Sequence, residues 1–76
     1  MQHAATPHFS SSRLREAAEA LELTQQDVAF RLGISMRAAS SWFRGEQVPG
    51  GKNLIALARL LERDAEWFFE ESGAAA

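Results

Sequence analysis

The stretch that decides the fold is "TQQDVAFRLGISMRAASSWFRGE", from Thr24 to Glu46. It contains two short helical patterns separated by one glycine, Gly33. Inside a single long helix a glycine costs about 1 kcal/mol relative to alanine, whereas at a helix C-terminus it readily adopts the left-handed conformation that ends the helix. Each pattern is under about three turns long, and helices this short are not stable alone. The stretch therefore predicts two helices that turn sharply at Gly33 and share a core.

Helical spacing and capping residues predict five helices in all. These helices span about residues 12–21, 25–32, 36–44, 52–61 and 65–71. Thr24 and Asp27 form a capping-box pattern before the second helix, Ser35 is the expected N-cap of the third, and Asp64 is the expected N-cap of the short fifth helix. No strand pattern is present, so the predicted fold class is all-α, a compact five-helix domain with a helix-turn-helix at helices 2 and 3.

The expected organisation is a single domain with short ends. Residues 1–9 show no periodicity and are expected to form a flexible arm, residues 10–71 the folded domain, and residues 72–76 a tail or the start of a linker. A chain of 76 residues has the length of one small domain.

Several classes of function are excluded by composition. The chain has no cysteine, so it has neither disulfides nor thiolate metal sites, and two histidines, His3 and His8, are too few for a metal centre. No apolar run approaches the ~18 residues of a membrane span, and the N-terminus lacks signal-peptide features. No catalytic or phosphate-loop motif is visible. We therefore expect a cytoplasmic protein that is not an enzyme and uses no cofactor, metal, membrane or small-molecule substrate.

Charge is segregated along the chain, although the net charge is only −2. Between Gln25 and Arg59 five basic residues stand against two acidic ones, a local net charge of +3. From Leu60 onward one basic residue stands against five acidic ones, a local net charge of −4. Binding to nucleic acid requires a local basic surface rather than a basic total. The charge pattern is therefore compatible with a nucleic-acid partner on one side of the molecule.

The stretch from Thr24 to Gly45 resembles the helix-turn-helix of the lambdoid phage repressor and Cro family. The small residues, the glycine and the apolar residues of this stretch have the same spacing as in the family. The family's later elements are resembled by Pro49, "KNLIALARLL" and "DAEWFF". The resemblance covers about residues 12–69. It implies a sequence-specific transcriptional repressor that inserts its third helix into the major groove of double-stranded operator DNA and binds a pseudo-palindrome as a homodimer.

The resemblance also implies which side chains of the third helix meet the bases. Four residues are expected to face outward as base-reading residues: Arg37, Met36, Ser41 and Ser40. Arg37 is the best candidate, because arginine donates two hydrogen bonds to O6 and N7 of guanine; the alternatives are a phosphate contact or a solvated side chain. Relatives often carry an amide side chain at the position of Met36, and methionine cannot make the hydrogen bond that this amide makes to a base. Met36 is therefore expected either to contact a thymine methyl group or only to pack against the protein.

A second set of residues is expected to contact DNA phosphates, by position in the family's pattern. The set comprises Gln25, Arg44, Gln47, Lys52, Asn53, Arg13 and Arg15. Gln25 begins the second helix, where relatives use a glutamine to bind a phosphate and to brace the recognition helix, and where the helix terminus itself attracts an anion.

The aromatic run "EWFFE" cannot point into one core at ~100° per residue. We expect Phe68 and Phe69 to be buried. Trp67 is then either a homodimer contact or a cover for the rim of the core.

Two positions depart from the family's pattern. Many relatives pair an arginine of the first helix with a glutamate near the end of the third, and the matching residues here are Ala18 and Phe43. Because replacing both partners of such a pair with apolar groups can be neutral or stabilising, we predict that Phe43 fills the space over Ala18. Phe30 stands where relatives are usually polar, and the sequence leaves open whether it turns inward.

Rival functions remain open at this point. An antitoxin or a restriction–modification controller is a related DNA-binding alternative. A helical protein-interaction module is a different alternative, favoured by the acidic, aromatic C-terminal segment and the negative net charge. Steep salt dependence of binding to duplex DNA distinguishes a DNA-binding protein from the interaction module.

Overall fold

The computed structural model describes residues 7–71, and within them the chain forms four α-helices, a 3₁₀ turn and a two-stranded antiparallel sheet. In chain order the elements are β1 (Pro7–Phe9), α1 (Ser11–Ala20), α2 (Gln25–Leu32), α3 (Met36–Phe43), α4 (Gly51–Leu61), the 3₁₀ turn (Ala65–Phe68) and β2 (Phe69–Glu71). The first four predicted helices are confirmed, each with ends within one residue of the expected positions. None of the helices within residues 7–71 is long and apolar enough to cross a membrane.

The corner between α2 and α3 forms as the sequence predicts. Gly33 has φ +68° and ψ +35°, the left-handed conformation. Thr24 and Asp27 form the reciprocal capping box: the main-chain N–H of Asp27 donates a 3.0 Å hydrogen bond to the hydroxyl of Thr24, and the main-chain N–H of Thr24 donates a 2.8 Å hydrogen bond to the carboxylate of Asp27. The bond from the Thr24 N–H to the carboxylate is the main cause of the lowered pKa of Asp27. The hydroxyl of Ser35 accepts a 3.0 Å hydrogen bond from the main-chain N–H of Ala38. Local capping therefore defines both helices on either side of the corner.

The predicted fifth helix is wrong. After a single 3₁₀ turn the chain becomes extended, and β2 pairs with β1 so that Phe69 lies opposite Phe9 and Glu71 opposite Pro7. Asp64 makes no capping hydrogen bond through its side chain. A seven-residue segment is too short to form a stable helix alone, whereas strand pairing satisfies its main-chain groups and brings the rings of Phe9 and Phe69 within 5.8 Å.

The same pairing corrects the expected flexible arm. Residues 7–9 form β1 rather than an irregular arm, and the main-chain N–H of Ser10 donates a 2.7 Å hydrogen bond to the carbonyl of Phe68. The expectations for residues 1–6, including His3, and for the tail at 72–76 lie outside the described residues. The two ends of the domain are therefore joined by main-chain hydrogen bonds.

The core lies between the inward faces of the four helices and the 3₁₀ turn. Its buried residues are Leu14, Ala17, Ala18, Val28, Trp42, Phe43, Leu57, Ala58, Leu61 and Phe68. Phe43 is 5% exposed and belongs to the same core cluster as Ala18, so its ring is not in solvent, which agrees with the prediction that it fills the space over Ala18. Phe68 is fully buried as expected, but Phe69 is only half-buried, because its strand lies at the edge of the molecule. Phe30 does not turn inward: it is 85% exposed.

Replacing Gly33 with alanine is expected to lower the free energy of unfolding by about 1–2 kcal/mol. A Cβ added at this position meets no atom within 4 Å, so the cost comes from the left-handed backbone, which disfavours residues with a Cβ. For a domain of this size each kcal/mol shifts the melting temperature by about 4–8 °C, and thermal unfolding followed by circular dichroism measures the change.

Gly51→Ala is the matched control. A Cβ added at Gly51 also has nothing within 4 Å, but this residue lies in the first turn of α4 without a positive φ. Alanine there is expected to be neutral or stabilising by up to about 1 kcal/mol. Equal effects of the two substitutions would contradict a special role for the conformation of Gly33.

Candidate nucleic-acid interface

The first turn of α3 projects from the corner and carries exposed side chains. Met36 is 46% exposed and Arg37 is exposed, whereas Ala39, Trp42 and Phe43 on the opposite side of the helix are buried. The buried side anchors α3 to the core, so the exposed side is presented on a rigid element. A helix of this size fits the major groove of B-DNA, which is about 12 Å wide.

The expectation that Ser41 faces outward is wrong. Ser41 is 6% exposed, and its hydroxyl donates a 2.8 Å hydrogen bond to the carbonyl of Ala38. The loop after α3 folds back over this residue, because the main-chain N–H groups of Glu46 and Gln47 both donate to the carbonyl of Ser41. Helical spacing places Ser41 on the face of Arg37, but the loop covers it, and nothing local in the sequence shows that the loop does so.

Ser40 connects α3 to the start of α2. Its hydroxyl donates a 2.9 Å hydrogen bond to Oε1 of Gln25, and Ser40 is half-buried in this contact. The bond links α3 to α2 and leaves the carboxamide nitrogen of Gln25 for another acceptor. Ser40 is thus placed to orient the side chain of Gln25.

Arg15 forms a contact that the sequence pattern did not predict. Its Nη1 atom donates a 2.7 Å hydrogen bond to the carbonyl of Phe43, the last residue of α3, where a cation stabilises the open carbonyl end of a helix. Arg15 precedes Ala18 by three residues, so it lies on the same face of α1. Arg15 therefore lies on the face of α1 that carries Ala18 and bonds a main-chain oxygen at the end of α3, and its place three residues before Ala18 is the signal that could have revealed this contact.

Arg13 points to a different part of the molecule. Its Nε atom forms a 3.0 Å ion pair with Glu70, and its Nη1 atom donates a 2.7 Å hydrogen bond to the carbonyl of Trp67. The structure does not bring Arg13 to the residues around α3.

The Trp67 ring is half-buried and lies 5.3 Å from the guanidinium of Arg13 and 4.5 Å from that of Arg63.

The loop after α3 holds an ion pair beside the exposed turn. Nε and Nη2 of Arg44 each donate a 3.1 Å hydrogen bond to the carboxylate of Glu46, and both side chains are exposed. The hydrogen bonds from Arg44 lower the pKa of Glu46, and the carboxylate raises the pKa of Arg44. Arg37, Ser41, Arg44, Glu46 and Gln47 together line one shallow depression of about 430 Å³.

The start of α4 contributes the last of the expected phosphate contacts. Lys52 is exposed and Asn53 half-buried in its first turn. The N-cap residue Gly50 offers no side chain to the free N–H groups of the helix, so these donors remain available.

Within residues 7–71 no cluster of three or more metal-ligating side chains is present.

Comparison with known proteins identifies similar chains. A family model described as helix-turn-helix matches residues 14–68. The chain is 40% identical over 55 residues to the HTH-type transcriptional regulator DicA of Escherichia coli (strain K12), a match that covers 72% of this chain and 41% of DicA. It therefore spans less than half the length of that relative.

Two solved structures are similar in fold. One is the crystal structure of the P22 c2 repressor protein in complex with synthetic operator 9T in the presence of Tl+, with a TM-score of 0.74, 30% identity, and coverage of 80% of this chain and 92% of that chain. The other is the nuclear magnetic resonance structure of the DNA-binding domain of the P22 c2 repressor, with a TM-score of 0.73, 28% identity, and 83% of each chain covered.

Proposed function

The chain belongs to the helix-turn-helix family of the lambdoid phage repressor type, and from this premise we propose that it is a sequence-specific repressor of transcription. It binds double-stranded operator DNA as a dimer and represses by occupying a site that overlaps a promoter. The observation that carries the proposal is the exposed Arg37 at the start of α3, held clear of the core by the corner at Gly33.

Base recognition rests mainly on Arg37. Arg37 is exposed on a helix whose other side is buried, so its side chain is available for a two-hydrogen-bond contact with guanine. Met36, beside it and 46% exposed, supplies an apolar surface for a thymine methyl group. Ser41 contributes to the shape of the depression near Arg37 rather than to direct base reading, because its hydroxyl is already bonded.

Phosphate contacts come from residues on both sides of α3. On one side Gln25 lies at the N-terminus of α2, and it lines a second depression together with Arg15. On the other side are Arg44, Gln47, Lys52 and Asn53. Arg13 is left out, because its guanidinium is bonded to Glu70 and Trp67. Contacts of this kind fix the position of the recognition helix on the duplex but carry no sequence information.

We place the dimer contact at the groove between α4 and the 3₁₀ turn. Ile55, 52% exposed, and the half-buried Trp67 line this groove together with Ala58, Arg59 and Arg63. The guanidiniums beside the indole also suit the alternative in which Trp67 only covers the rim of the core. Two recognition helices in one dimer meet half-sites about one helical turn apart.

A titration against random-sequence duplex DNA at rising salt tests the proposed function. A DNA-binding protein loses affinity steeply, with log K falling linearly against log[salt], because bound phosphates release counterions. Selection of bound sites from a random duplex library then reveals an operator, which is expected to be a pseudo-palindrome. Absence of salt-dependent binding would overturn the assignment and favour a protein-interaction module.

A further inference from the structure

The ion pair between Arg44 and Glu46 stands on the surface that the proposed function turns toward DNA. The two residues flank Gly45, whose φ of +78° turns the chain so that both side chains meet. Two N–H groups of the guanidinium bond the two carboxylate oxygens, each at 3.1 Å. Paired donors of this kind bind phosphate oxygens in the same way as carboxylate oxygens.

The position of Glu46 conflicts with a simple phosphate clamp. Its carboxylate lines the same depression as Arg37 and Gln47, and it is 57% exposed. A negative charge on this surface is repelled by the DNA backbone, and it occupies two of the donors through which Arg44 would bind a phosphate.

We propose that Glu46 competes with a DNA phosphate for Arg44, so that this ion pair opens when the protein binds duplex DNA. The proposal rests on the proposed function. Its consequence is that Glu46 weakens the sequence-independent part of DNA binding, because each phosphate contact of Arg44 requires loss of the bonds to Glu46. Base preference depends on Arg37, so a change at Glu46 should not alter which base pair is preferred.

Binding of a random-sequence duplex by the wild-type chain, Glu46→Gln, Arg44→Gln and the double variant tests the proposal. Glu46→Gln is expected to bind about 1.5- to 5-fold more tightly per protomer, the range that corresponds to opening an exposed ion pair. Its plot of log K against log[salt] should keep the wild-type slope, because Arg44 neutralises the same phosphate in both complexes. In the Arg44→Gln background the Glu46→Gln change should raise affinity by less, because only the repulsion between the carboxylate and the DNA backbone is then removed.

Glu71→Gln is the matched control, because it makes the same change of charge at an exposed residue of β2 that lines neither the depression beside Arg37 nor the proposed dimer groove, and it should leave affinity unchanged. An equal increase in affinity with and without Arg44 would mean general repulsion and would overturn the proposal. So would a loss of affinity in Glu46→Gln, which would make Glu46 a positioning residue for Arg44, or a changed preference at one base pair in selected sites, which would make it a base-reading residue.

Binding of the wild-type chain separates the proposed function from the competition between Glu46 and phosphate. If the wild-type chain shows no salt-dependent binding, the proposed function itself is wrong. If the wild-type chain binds with steep salt dependence and Glu46→Gln binds identically, only the competition is wrong. Thermal unfolding of each variant confirms that the fold is retained, as expected for substitutions of exposed side chains.

Discussion

Replacing Phe68 with alanine is expected to lower the free energy of unfolding by about 3–5 kcal/mol, the usual cost of truncating a buried aromatic residue. Phe68 is fully buried. Its ring lies 6.0 Å from that of Phe9 in a stacked arrangement and 5.3 Å from that of Trp67 edge to face. A domain of 76 residues has a total stability of roughly 4–11 kcal/mol, so the substitution is expected to remove much of it.

Chemical denaturation followed by circular dichroism measures this change, and Phe30→Ala is its matched control. The same atoms are removed from a side chain that is 85% exposed, so the expected change is within about 0.5 kcal/mol. Phe68→Leu, which leaves a smaller cavity, should fold with an intermediate loss of stability. Similar effects of the alanine substitutions at positions 68 and 30 would contradict the packing described for Phe68.

Replacing Arg37 with alanine is expected to abolish the preference for one base pair in each half-site. One guanine contact discriminates by about 1–3 kcal/mol, and two half-sites bound by a dimer double this to about 2–6 kcal/mol, or a loss of about 30-fold to 10⁴-fold in affinity for the selected operator. Affinity for random-sequence duplex should fall far less, because the base contact is absent there. Selection of bound sites followed by titration of single-base variants measures the effect.

Arg31→Ala controls for the loss of charge. Arg31 is exposed in the last turn of α2, and its removal is expected to leave every base preference intact. Arg37→Lys retains the charge but loses the planar pair of donors. Its base preference should therefore match that of Arg37→Ala, and the salt dependence of its DNA affinity should match that of the wild-type chain. Equal weakening of Arg37→Ala on every sequence would show that Arg37 contacts phosphate instead.

Features coded by neighbouring residues were predictable. The capping box at Thr24, the cap at Ser35 and the left-handed Gly33 each depend on residues within a few positions of one another. Their physical cause is local hydrogen bonding and backbone preference, so the four helices and the exposed Arg37 follow from the sequence. The burial of Phe43 beside Ala18 was also predictable, since loss of both charges at matching positions leaves an apolar contact.

Features that depend on distant partners were not predictable in the same way. A three-residue strand such as β2 has no periodicity of its own, and it forms because β1 arrives from the opposite end of the chain. The side-chain partners of Arg15 and Arg13 and the burial of Ser41 were not predicted, for a related reason. A long side chain on a helix has several acceptors in reach, and only the packing of the other elements decides which one it meets.

By itself the sequence determined an all-helical core, the corner at Gly33 and the solvent-facing position of Arg37, because short-range capping and helical periodicity are read from consecutive residues. Tertiary structure alone decided that the chain ends pair as strands, that Arg15 caps α3 through the carbonyl of Phe43, and that Arg13 is held by Glu70. Those contacts depend on how the backbone brings side chains and main-chain groups together after folding, and the order of the residues does not specify that geometry.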